Sequence, residues 1–246
     1  MHFETWQWIL LGFGAALAGF SKTGIPGTSI LFIAIFPMLI PARQATGIVL
    51  PLLIFADLFA YTIYRKNLEW RGVGRLLPWA LAGVILGWMA LGRINDRQAT
   101  KVVGGIIAVM LLLHWWRRRA EADVVAAKSP VWFAPVMGLF AGFTTMVANA
   151  AGPVMALYLL ARRLPKLEFL GTSAAFFLVI NWVKVPFVVQ LGLITPESLK
   201  LNFFLLPAVA AGALLGRPVV DRINQRYFEN GVLVLTTLAV VKLLIF

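Results

Sequence analysis

The sequence predicts an all-α polytopic membrane protein of two inverted-topology repeats, each a broken, re-entrant helix pair followed by three transmembrane helices. Three observations point there. Hydrophobic residues make up 61% of the 246 positions and the mean hydropathy is +0.86, whereas soluble domains are about half apolar. Apolar blocks recur along the whole length, and lipid admits only structures that satisfy their own backbone polar groups. These blocks also fall into two sets of similar layout, separated by the polar interval "RRRAEADVVAAKS" at 117–129.

Composition also excludes several classes. The formal net charge is +12, but the basic residues lie mainly in short connections between apolar blocks. That is the pattern of topology determinants, not of a nucleic-acid-binding stripe, and no nucleic-acid partner is expected. The chain has no cysteine and only His2 and His114 to supply imidazole, so no metal or other cofactor is expected. A membrane-embedded enzyme would need clustered acids or histidines at membrane depth, which are missing here, so the chain is not expected to be an enzyme. No GxxxxGK[ST] loop for ATP is present. The start, "MHFETWQW", lacks a cationic lead-in and reads as the approach to the first membrane segment, with Trp6 and Trp8 as interfacial anchors.

In chain order, the apolar blocks run 6–20, 28–41, 44–64, 75–92 and 99–116, then 131–143, 152–161, 168–190, 201–216 and 229–246. The first set defines repeat 1 (1–116) and the second repeat 2 (130–246), joined by a cytoplasmic linker. A helix needs about 20 residues to cross the hydrocarbon core. Blocks 6–20, 28–41, 131–143 and 152–161 fall short, and each pair meets at a Gly/Pro-rich break, at 21–27 and 144–153. The pairs are therefore expected to be half-helices in a hairpin. Three crossings per half, an odd number, would turn the second half upside down, as would the alternative of five full crossings.

The halves match internally as well. "AGF" at 18–20 recurs at 141–143, Gly47 matches Gly171, and Asp57 falls opposite Asn181. Pro78, Gly83 and Gly87 recur as Pro207, Gly212 and Gly216, and "RIN" at 93–95 recurs at 222–224. Such an ordered set points to duplication. Loops 65–75, 117–128, 162–166 and 217–226 hold four, four, three and three basic residues, 14 in all, against 6 on the opposite face. That asymmetry places the N-terminus outside the cytoplasm. The GxxxG-like spacings Gly83/Gly87 and Gly212/Gly216 suit helix packing within the chain, with a homodimer as the alternative.

Irregular backbone at membrane depth is tolerated where it lines a polar cavity. Helix N-termini at such breaks present N–H groups and partial positive charge to anions. The first break supplies Ser21, Lys22, Thr23, Gly24 and Gly27, with Thr28 or Ser29 as the cap of the next helix. The second supplies Thr144, Thr145, Asn149 and Gly152. This inventory favours a small oxyanion. The bland alternative has Lys22 in an ordinary loop, snorkelling to the interface. Asp57, the one acid in the interior of an apolar block and not at its edge, and Lys184, three residues after Asn181, are costly in lipid without a partner or cavity. They are expected either to pair and lock the halves, or to act separately, Asp57 as proton carrier and Lys184 as anion ligand.

Taken together, the Gly-rich breaks after "LAGF" and "FAGF", followed by "QATGIVLPLLIFAD" and "FLGTSAAFFLVINWVKVP", resemble the TauE/SafE family of sulfite exporters over roughly 10–245. The resemblance implies a bacterial inner-membrane carrier for sulfite, organosulfonates such as sulfoacetate, or related small anions, most often in export. It places the family's breaks on Ser21–Gly24 and Pro26-Gly27, and on Thr144-Thr145, Asn149 and Gly152-Pro153. It places the next helix openings on Thr46-Gly47 and Gly171-Thr172-Ser173. The expected function is a secondary transporter with alternating access around a midplane site in the lipid bilayer, with protons as a candidate coupling ion. A passive anion channel, or a carrier of a different small organic anion, is the alternative.

Overall fold

The computed structural model describes residues 3–26, 28–93 and 131–245, with isolated positions between 95 and 112. The linker 117–129, Gly27, both histidines and most of the block 99–116 lie outside the described residues. Among these, the regular structure is helical: α1 Thr5–Thr23, α2 Ser29–Leu39, α3 Ala42–Tyr64, α4 Trp70–Leu91, α5 Phe133–Ala148, α6 Ala151–Ala161, α7 Lys166–Gln190, α8 Pro196–Arg222 and α9 Gln225–Ile245. The stretches Gln44–Asn67, Trp70–Leu91, Lys166–Gln190 and Pro196–Arg222 are long and apolar enough to span a membrane. Helix α8 shows what faces the lipid. Leu205, Val209, Gly212 and Ala213 turn inward, while Phe203, Phe204, Leu214 and Leu215 are 71%, 66%, 61% and 65% exposed. An apolar face of that extent suits hydrocarbon and not water.

The breaks are shorter than the sequence predicts. At 1.5 Å per residue, α1 reaches about 28 Å and its partner α2 about 16 Å, so each pair is one long and one short helix. The polar residues extend the long arms because they find partners: Ser21 Oγ donates to Ala18 O at 2.8 Å and Thr23 Oγ1 to Ala213 O at 2.7 Å. Both pairs double back. A Cβ on Gly14 of α1 would sit 3.1 Å from the Phe36 ring of α2, and the rings of Phe133 (α5) and Tyr158 (α6) stack with centroids 5.7 Å apart.

The arms then pack crosswise between the halves. Helix α1 lies on α8, and α5 lies on α4, in the two most extensive helix contacts of the fold. Both are backbone-close. A Cβ on Gly212 would meet Ala16 O at 1.9 Å and one on Gly19 would meet Val209 O at 2.0 Å. On the other side, a Cβ on Gly142 would meet Ala80 O at 1.9 Å and one on Gly83 would meet Leu139 O at 2.1 Å. Small residues let helices approach where lipid offers no hydrophobic drive for them to associate. Gly83, Gly87, Gly212 and Gly216 are thus occupied by the chain's own helices.

Helices α3 and α7 cross at the centre, antiparallel. Gly47, near the start of α3, is pressed on Leu193 just past α7, and Gly171, near the start of α7, on Tyr64 and Asn67 at the end of α3. Midway between these contacts, Asp57 meets Asn181. Both helices are apolar on most sides, as elements with neighbours all round should be. Leu50 and Ile54 of α3 join the core with α4–α7, while Val49, Leu52 and Ala56 join the core with α1, α2 and α8.

Three of the basic connections meet at one end of the bundle. Arg162 pairs with Glu69 at 2.5 Å, Lys166 Nζ donates to the carbonyls of Val220 and Ile223, and the Arg217 guanidinium sits 5.1 Å from the Tyr64 ring. Elsewhere, α8 opens on a reciprocal cap between Thr195 and Ser198, with Pro196 at its first position, where the missing N–H costs nothing.

The close contacts make a direct prediction. Gly142→Ala and Gly212→Ala should each destabilise the detergent-solubilised protein by roughly 1–3 kcal/mol through overpacking. Gly74→Ala, where a Cβ meets nothing within 4 Å, should be neutral or stabilising by up to about 1 kcal/mol. Thermal unfolding midpoints check the contrast, and equal midpoints for all three would contradict the packing.

Candidate anion site

The two hairpin tips meet. Helix α2 begins at Ser29 and α6 at Ala151, and a Cβ on Gly152 would lie 3.0 Å from Ser29 Oγ. The N-termini of both short helices therefore converge on one region at the level of the α3–α7 crossing. Helix α5 ends there on Asn149 in the left-handed conformation (φ 52°, ψ 27°), which asparagine adopts more readily than most side chains. Thr28 does not cap α2 through its side chain; its hydroxyl donates back to Ile25 O at 3.0 Å.

A narrow pocket opens between the tips. Its polar lining includes Ser21, Lys22, Ser29, Thr145, Asn149 and Ser173. Phe32, Phe169 and Phe177 supply apolar walls, and Gly152 and Asn181 complete the set discussed here. The hydroxyls of Ser29 and Ser173 have no hydrogen-bond partner among the described residues. Lys22 Nζ lies 3.8 Å from the centre of the Phe177 ring, close enough for a cation–π attraction.

Behind the pocket runs a continuous polar chain. Lys22 Nζ is 2.8 Å from Asp57 Oδ1, in an ion pair with side-chain exposures of 10% and 0%. Asn181 Nδ2 donates to Asp57 Oδ2 at 2.7 Å. Lys184 Nζ donates to Asn181 Oδ1 at 3.3 Å, Thr145 Oγ1 at 3.0 Å and Asn149 Oδ1 at 2.6 Å. Asn149 Nδ2 closes the chain on Thr46 O at 3.1 Å. Four elements are tied together: the tip of α1, the tip of α5, and the middles of α3 and α7.

This geometry sorts the residues read from the sequence. Ser21, Lys22, Thr145, Asn149, Gly152 and Asn181 line the pocket, and Asp57 and Lys184 stand directly behind it. Thr23, Gly24 and Thr144 do not line it. Thr23 bonds α8, Gly24 N–H donates to Phe20 O at 2.7 Å, and Thr144 Oγ1 donates to Phe140 O at 2.7 Å. Gly27 lies outside the described residues. Of the two arrangements expected for Asp57 and Lys184, a direct pair or separate roles, the direct pair is not formed. Lys22 reaches Asp57 instead, and Lys184 is joined to it through Asn181. Lys22 is accordingly drawn inward rather than out to the membrane surface. Sequence reasoning did not single out Phe177, nor the inward-facing role of Ser29 and Ser173. Ser173 had a signal, since it follows the "GT" expected to open this helix, although α7 in fact begins earlier, at Lys166.

Membrane-length helices framing a charged pocket at the junction of two broken helix pairs define a polytopic transport protein. A family model described as "Sulfite exporter TauE/SafE" matches residues 10–243; the chain belongs to this family of membrane transporters. It is also similar to the "Probable inner membrane transporter protein TsaS" of Comamonas testosteroni, 23% identical over 193 residues that cover 77% of this chain and 78% of that protein. No solved structure matches the chain.

Breaking a buried ion pair leaves an uncompensated charge and costs about 3–5 kcal/mol, while removing both charges costs far less. Lys22→Met should therefore destabilise the protein strongly, and adding Asp57→Leu to it should restore much of the loss. Chemical unfolding of the single and double variants in detergent measures this coupling. A double variant no more stable than Lys22→Met would contradict it.

Proposed function

We propose that the chain is a secondary carrier of small anions, with sulfur oxyanions such as sulfite or sulfoacetate as its first candidates, working by alternating access around the pocket between the hairpin tips. The observation that carries this is the placement of Lys22 on the pocket wall beside Thr145, Asn149, Ser29 and Ser173, where two helix N-termini converge. Ammonium, hydroxyl and N–H donors suit the oxygens of a sulfonate or sulfite. The family's description and the relative's name support a carrier in the inner membrane, and export is the direction the family's description favours.

The crosswise α1–α8 and α4–α5 packing, with the antiparallel α3–α7 crossing, supports reading 1–116 and 130–246 as inverted repeats that rock against each other. The shared basic end supports a cytoplasmic placement of loops 65–75, 162–166 and 217–226 and, with it, a periplasmic N-terminus. Asp57, which shares Lys22 with whatever anion enters, is the candidate coupling group for protons. A homodimer would have to form through faces other than the glycine contacts, which the chain's own helices fill.

Thermal unfolding with sulfite, sulfoacetate, thiosulfate, sulfate, chloride and a cationic control, at matched ionic strength, tests the reading. A ligand at 100 times its Kd stabilises the native state by about 2.7 kcal/mol. A sulfur oxyanion should raise the midpoint selectively, and Thr145→Val should weaken that response. A folded protein that responds to none of them contradicts the proposal.

A further inference from the structure

Taking the pocket as the anion site proposed above, we infer that it is built to hold one net negative charge: a monoanion alone, or a dianion together with one proton placed on Asp57. The central polar chain contains two lysines and one aspartate, and their geometry assigns the charges. Lys184 Nζ faces three acceptors, Thr145 Oγ1, Asn149 Oδ1 and Asn181 Oδ1, at 2.6–3.3 Å. The two asparagine groups are committed as acceptors here, because their amide nitrogens already donate to Thr46 O and Asp57 Oδ2. An ammonium donates to all three at once, which is the arrangement the structure shows; a neutral amine could fill the same places only if the Thr145 hydroxyl turned to donate to its lone pair. Lys22 forms an ion pair with the Asp57 carboxylate 2.8 Å away. The charged groups facing Asp57 are Lys22 from α1 and, through Asn181, Lys184 from α7.

Two ammonium groups and one carboxylate give the side chains of the centre one net positive charge, on groups no more than 10% exposed. The helix termini do not change this count to first order. The N-termini of α2 and α6 arrive at the same tips as the C-termini of α1 and α5, and their partial charges are opposite. Unbalanced charge is expensive at this depth. A monoanion neutralises the centre directly. A dianion leaves one charge in excess, which is removed when Asp57 takes a proton from water and releases Lys22 fully to the cargo. The valence of the anion thereby sets whether a proton travels with it.

Ethanesulfonate and ethane-1,2-disulfonate separate these cases, because neither titrates near neutral pH and any proton bound belongs to the protein. Calorimetric titrations in buffers of different ionisation enthalpy count the protons. Ethanesulfonate should bind without net proton uptake, and the disulfonate with uptake of one proton. Asp57→Asn, which raises the net charge of the centre, should abolish that uptake and shift the preference toward the disulfonate by about tenfold or more. Lys184→Gln, which removes the excess charge, should weaken ethanesulfonate by about tenfold or more. Variants are compared only after confirming a cooperative melt. If both sulfonates bind with the same proton count, and Asp57→Asn leaves their ratio unchanged, the charge rule is wrong while the anion site stands. If neither binds to folded wild-type protein, the anion site falls and the rule with it.

Discussion

The pairing of Lys22 with Asp57 is the constraint on which the rest of this architecture depends. A lysine at the end of a long apolar helix and an aspartate in the middle of another are each prohibitively costly alone in hydrocarbon. Set 2.8 Å apart, they are tolerable only if the remaining hydrogen-bonding capacity is also met. Asn181 supplies that for Asp57, Lys184 holds Asn181, and Thr145 and Asn149 hold Lys184. The tip of each hairpin is thereby fixed to the crossing of α3 and α7. A network of this kind contributes less to net stability than an apolar core of equal volume would. Its consequence is positional: the donors and short-helix N-termini are brought around one cavity.

What allows the tips to come so close is the set of glycine contacts flanking them. Gly19 and Gly212 let α1 sit directly on the backbone of α8, and Gly83 and Gly142 do the same for α4 and α5. Each long arm thus rests on a helix from the other half of the chain. Any rocking of one half against the other would pass through these close interfaces and through the Asp57–Asn181 contact at their centre. Large exposed apolar side chains such as Phe203, Phe204, Leu214 and Leu215 lie outside these interfaces.

Much of this was legible in the sequence, for identifiable reasons. The apolar blocks and their Gly/Pro breaks gave the helices, because hydrocarbon permits few alternatives to a helix. Asp57 and Asn181 stood out as internal mates, and they proved to touch because α3 and α7 cross antiparallel at that level. Helix ends were read less well. Ser21, Lys22 and Thr23 look like helix-terminating polarity, yet they continue α1 because partners on α1 itself, on α3 and on α8 satisfy them in turn. The partner of Asp57 was not legible either. Lys184 lies on the same helix face as Asn181 and was the natural candidate, whereas Lys22 is brought in by the rotation of α1 against α8, which no local pattern encodes. Ser29 reads in sequence only as a helix cap, Ser173 only as part of a helix opening and Phe177 as an ordinary helix residue, and the meeting of the tips makes them pocket walls.

The most direct test of the central claim, that the anion sits between the tips, uses the absence of native cysteine. Ser173→Cys would place a single thiol in the pocket wall, and Val131→Cys, at a position 95% exposed, would place one outside it. Labelling rates with a sulfonate-bearing thiol reagent are then measured with and without an anion already shown to stabilise the protein. The account predicts that the anion slows labelling of the pocket thiol several-fold and leaves the outer thiol unaffected. A pocket thiol labelled at the same rate with the anion bound would place the cargo elsewhere.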